Sequence, residues 1–112
     1  MTKVISYIRV STSFQDLENQ KLEITKYTAK LGLEVTEWFE VEMSSRKTTG
    51  DRRINELLAS LHKGDVLVVS ELSRLARSMR EIHNITHTLE QKGVCLHVVK
   101  QGLVVDGNKD IA

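Results

Sequence analysis

The segment Tyr7-Ile-Arg-Val-Ser-Thr12 sets an arginine, Arg9, and a hydroxyl, Ser11, two positions apart. On a strand that spacing puts both side chains on one face. Chemistry in open α/β sheets collects at the carboxyl ends of strands, and this strand ends here. A second group follows a very apolar strand downstream: Ser73, Arg74, Arg77 and Ser78. At i, i+3 Arg74 and Arg77 are expected to share one helical face. A hydroxyl ringed by arginines suits phosphate chemistry. Acyl chemistry would need a base beside the serine instead.

The elements that must hold these groups are legible from periodicity. Val4 to Val10 reads as an interior strand, apolar on both faces apart from Ser6 and Arg9. Ser13, with Asp16 three residues on, opens a helix whose face is Leu17, Ile24, Tyr27 and Leu31, and Gly32 stops it. Val35 to Val41 is a second strand. Glu42 to Gly50 has no period and reads as a mobile loop. Asp51 is the expected cap of a helix carrying Ile54, Leu57, Leu58 and Leu61, closed by His62-Lys-Gly64. Val66 to Val69 is a short third strand, and a helix follows from about Ser78 to Lys92 with Ile82, Ile85 and Leu89 inward. Val94 to Val99 is a fourth strand and Leu103 to Val105 a short fifth. This alternation predicts an α/β fold: a mostly parallel sheet of four to five strands flanked by helices, with right-handed crossovers.

Composition narrows the setting. The 112 residues make one small domain, 40% apolar but poor in aromatics, so the core is built from Val, Ile and Leu. No apolar run reaches membrane-spanning length and no signal-peptide pattern opens the chain, so neither a membrane nor export is expected. The single cysteine excludes an internal disulfide and fits a cytoplasmic setting. Cys95 lies in a buried-strand pattern and is expected to be core. A net charge of +1 and a pI near 7.9 give no global sign of nucleic-acid binding, for which a pI above ~9 is the cue. Any anion site must be a local arginine cluster. His83 and His87 have metal-pair spacing, but no third ligand stands near, and no metal or cofactor is expected.

Taken together these residues resemble the catalytic domain of the serine recombinases, the resolvase and invertase family. The resemblance rests on Tyr7-Ile-Arg9-Val-Ser11-Thr12 with Gln15 and Gln20, on Asp51-Arg52, and on Glu71-Leu-Ser-Arg74-Leu-Ala-Arg77-Ser78. Gly102 to Gly107 is also similar to the family's turn before its long dimer helix. The resemblance implies that Ser11 attacks a DNA phosphodiester, giving a 5′-phosphoserine link and a free 3′-hydroxyl without metal or external energy. It assigns the catalytic arginines to Arg9, Arg52, Arg74 and Arg77, and adds Gln15 and Gln20 to the site. It implies double-stranded DNA as partner of the full-length protein, a homodimer, and a tetramer in synapsis. Family members commonly carry aspartate before the arginine at position 74. Here it is Ser73, which leaves the general acid/base unassigned.

The chain ends at the entry to a further helix, so residues 1–112 are expected to be a fragment that lacks the long dimer helix and DNA-binding region. An inactive dimerisation or regulatory fragment is therefore the alternative function. A flavodoxin-like small-molecule module fits poorly, because no Gly-rich phosphate loop follows the first strand. Because the loop before Arg52 lacks apolar anchors, the arginine cluster is expected to close fully only on a bound scissile phosphate.

Overall fold

The computed structural model describes residues 3–10, 14–42 and 53–106. Five strands form one sheet in the order β2-β1-β3-β4-β5: β1 (Val4–Val10), β2 (Glu37–Glu42), β3 (Val66–Val69), β4 (Cys95–Val98) and β5 (Leu103–Asp106). The pairs β1·β2, β1·β3 and β3·β4 are parallel, and β4·β5 is antiparallel. The link from Val99 to Gly102 is too short for a crossover, so the chain can only turn back on itself there. Between β1 and β3 the order of strands reverses, and the crevice at that switch point opens at the strands' carboxyl ends.

Pleating divides the core in two. Ile5, Tyr7, Leu67, Val69, Leu96 and Val98 pack against α2 (Ile54–Ser60) and α4 (Met79–Lys92) through Leu57, Ile85 and Leu89. Val4, Ile8 and Val68 pack against Ile24, Leu17 and Tyr27 of α1 (Phe14–Lys30). This double burial explains why β1 and β3 read as continuous apolar runs. None of the described helices is long and apolar enough to cross a membrane.

The strand and helix expectations hold with local corrections. The β2 ladder begins at Glu37 rather than Val35, because the Thr36 hydroxyl takes the Val4 N–H at 2.9 Å in place of a backbone carbonyl. α1 ends at Lys30, leaving Leu31 48% exposed, and Gly32 follows in the left-handed region at φ 72°. α2 starts two residues later than an Asp51 cap would require. Its N-cap is Arg53 at φ 57°, a left-handed conformation costing roughly 1–2 kcal/mol. The Arg53 guanidinium pairs with Glu56 at 2.8 Å and lies 4.6 Å from the centroid of Phe39, contacts that offset the strain.

The largest correction concerns the second arginine group. A separate four-residue helix, α3 (Leu72–Leu75), ends where Ala76 becomes extended at φ −148°, ψ 157°. Arg74 therefore sits on α3 and Arg77 on the link to α4, not on one helical face. Leu75 and Ala76, buried in the α2–α4 side of the core, force that break. Cys95 is half-buried rather than core, on the α1 side of the sheet, where its Sγ lies 3.5 Å from His97 Nε2.

Candidate functional site

The carbonyl of Arg9, near the end of β1, is gripped from both sides of the switch point. Gln20 of α1 donates to it through Nε2 at 3.1 Å, and Arg74 of α3 through Nη1 at 3.2 Å. Gln20 is one of the residues that the resemblance adds to the site. It is 3% exposed, donating also to Asp16 at 3.2 Å and accepting from Ser70 Oγ at 3.4 Å. An amide supplies donors and an acceptor at once, so one side chain can tie β1, β3's end and α1 together.

The guanidinium of Arg9 donates through Nη2 to the carbonyl of Ser73 on α3. Arg74 donates through Nη2 to Asp16 at 3.2 Å, and its Nε stands 3.9 Å from Glu71. That buried Nε has no hydrogen-bond partner among the described residues. Glu71 accepts from Ser73 Oγ on one carboxylate oxygen and from Lys100 Nζ at 2.9 Å on the other. The Ser73 hydroxyl and the Lys100 ammonium hold the Glu71 carboxyl below the usual carboxylate range, and the Glu71 hydrogen bond raises Lys100 in return. Arg74, Asp16 and Glu71 are each 22–30% exposed in their side chains. Ion pairs in that setting are worth about 0–1 kcal/mol, so they orient the guanidinium more than they stabilise the fold.

Of the predicted site residues, Arg9, Gln20 and Arg74 are brought into one hydrogen-bonded cluster. Gln15 is exposed on α1. Arg77 is exposed on the α3–α4 link, where its backbone N–H donates to Glu81 at 2.8 Å. Ser78, grouped with it in sequence, caps α4 by accepting from Glu81 N at 3.2 Å. Ser11 and Arg52 lie outside the described residues, as do the 43–50 segment and the closure expected of it. Sequence reasoning missed three groups: Asp16 beyond its capping role, Glu71 as an arginine partner, and Lys100. The i, i+4 spacing of Asp16 and Gln20 and the i, i+3 spacing of Glu71 and Arg74 were available signals. Lys100 comes from the β4–β5 link, and no local spacing points to it.

A cleft of about 260 Å³ between α2 and α4, lined by residues including Leu58, Asn84 and Ile85, contains none of the arginine cluster.

The mixed α/β sheet of five strands flanked by helices has resolvase and serine recombinase catalytic domains among its structural neighbours. The chain belongs to the family of resolvase N-terminal domains, whose model matches residues 4–111. It is 34% identical over 103 residues to the transposon Tn501 resolvase of Pseudomonas aeruginosa, covering 92% of this chain and 50% of that protein. It is 32% identical over 103 residues to the serine recombinase PinR of Escherichia coli strain K12, covering 91% and 52%. Among solved structures, a resolvase family site-specific recombinase from Streptococcus pneumoniae matches with a TM-score of 0.70 and 26% identity, over 98% of this chain and 78% of that one. The C-terminal catalytic domain of ISC1926 TnpA, an IS607-like serine recombinase, matches at 0.69 and 26%, over 87% and 68%. The chain spans about half the length of the curated relatives it matches.

Proposed function

We propose that this chain is the catalytic part of a DNA strand-exchange recombinase with Ser11 as its nucleophile. The serine oxygen attacks a phosphodiester phosphorus, the bond to the 3′-oxygen breaks, and the serine's proton ends on the freed 3′-hydroxyl. The phosphoserine ester retains the bond energy, so a different 3′-hydroxyl can reverse the step and rejoin the strands. The site of action is the cytoplasm, the DNA is double-stranded, and the full-length protein works as a dimer that pairs into a tetramer.

The observation that carries this reading is the grip on Arg9, whose carbonyl lies two residues ahead of Ser11 and is held by Gln20 and Arg74. Phosphoryl transfer asks for in-line positioning and charge neutralisation, and a strand end fixed from two helices supplies the first. Arginine forks, charged at any working pH, supply the second. Arg9 and Arg74 carry it here, joined by Arg52 and Arg77 when the phosphate is bound, with Gln15 adding a neutral hydrogen-bond donor. In the full-length protein, Ser11→Ala is expected to bind DNA normally yet leave no covalent protein–DNA complex after denaturation. A complex that survives the substitution contradicts the assignment.

The alternative reading is an inactive dimerisation or regulatory unit of such a protein. Sedimentation of residues 1–112 with a DNA-shift assay separates the two readings. A dimer that never shifts DNA, even when extended to full length, supports the second.

A further inference from the structure

Glu71 stands at the junction of three segments, all of them at the carboxyl edge of the sheet. One carboxylate oxygen accepts from Ser73 Oγ and the other from Lys100 Nζ at 2.9 Å, while Arg74 Nε lies 3.9 Å away. The residue it holds, Ser73, accepts at its carbonyl from the Arg9 guanidinium. Lys100 is itself anchored, its backbone N–H donating to Ser70 at 2.9 Å, just past β3. A four-residue helix has little rigidity of its own, so α3 needs an outside tie to keep both Ser73's carbonyl and Arg74's fork in place. Glu71 is that tie.

We propose that Glu71 is a positioning residue for the reaction above, linking Lys100 to Ser73 so that Arg9 and Arg74 stay aligned with the scissile phosphate. This rests on the recombinase reading, with Ser11 as nucleophile. Lys100 serves as the counter-cation that keeps the carboxylate in place and ionised, and hydrogen bonds to a charged partner are the ones strong enough for such a task. Glu71 does not touch the DNA, so its loss should slow the chemical step without weakening binding.

The test uses the full-length protein and a nicked duplex selected by it from a random-sequence pool, with covalent adduct formation followed at saturating DNA. Glu71→Gln is expected to slow adduct formation about tenfold while duplex affinity stays within about twofold. Ser73→Ala, which cuts the link on the α3 side and leaves the carboxylate paired to Lys100, should slow the same step. The double variant should be little worse than the slower single one, because both break one chain of contacts. Thermal melting of each variant confirms that the fold is retained, and Ser73→Ala carries the test if Glu71→Gln does not fold. An unchanged rate, an affinity that falls in step with the rate, or effects that multiply in the double variant each overturn the proposal. A wild-type protein that forms no serine adduct instead overturns the recombinase reading, and this inference with it.

Discussion

A single guanidinium shows how the cluster divides its labour. Arg74 gives one Nη to the Arg9 carbonyl and the other to Asp16, which a planar fork can do and a lysine cannot. Arg74→Lys keeps the charge and is expected to lose cleavage by about 10²–10³-fold, the scale of removing one preorganised electrostatic donor. Single-turnover adduct formation measures it, and near-wild-type rates in Arg74→Lys would mean that charge alone suffices. His97 offers a different residue-scale test. Its Nδ1 lies 2.8 Å from Tyr27 Oη, its Nε2 lies 3.5 Å from Cys95 Sγ, and burial pushes the imidazole below its ordinary 6.5. The unfolded chain therefore binds a proton more readily, so His97's contribution to stability is full above 6.5 and is lost as pH falls from there toward the folded value. Melting temperatures of His97→Gln should lose the part of the pH slope just below 6.5 that the parent chain shows.

Elements were legible where burial was periodic and illegible where long-range contact decided. β1 and β3 stood out because both faces are buried, and α4 because Ile82, Ile85 and Leu89 recur at helical spacing. The break after α3 did not, since no Gly or Pro marks Ala76, and the burial that stops the helix comes from α2 and α4. The arginines themselves were found by motif, yet the partners that orient them were not. Arg74 and Asp16 are 58 positions apart, a pairing no local pattern contains. Two substitutions test element-scale statements. Ser78→Ala removes the α4 cap and should cost ~1 kcal/mol in denaturant unfolding. Ser6, fully buried in β1, has a hydroxyl with no hydrogen-bond partner among the described residues. Ser6→Ala is therefore expected to leave stability unchanged or raise it by up to about 1 kcal/mol. A large loss there would reveal a partner for that hydroxyl.

At the scale of the molecule, the sheet order puts β1 beside β3 and so joins two sequence motifs more than sixty residues apart, Arg9 and Ser73-Arg74. The topology does what no single element could. One motif ends a strand buried on both faces, and the other follows a neighbouring strand on the short α3, so the sheet fixes Arg9 while contacts from outside α3 hold Arg74. Net charge stays near neutral because 16 Lys and Arg are set against 15 Asp and Glu, and at the cluster Asp16 and Glu71 pair with Arg74 and Lys100. Strand-scission chemistry is the claim on which this account turns, and mapping the covalent residue tests it most directly. The full-length protein, trapped on its nicked duplex and digested with protease, should yield a nucleotide-bearing peptide containing residues 9–12, with the modification on Ser11 by mass spectrometry. A nucleotide carried by Ser73, Ser78 or a tyrosine would contradict the account.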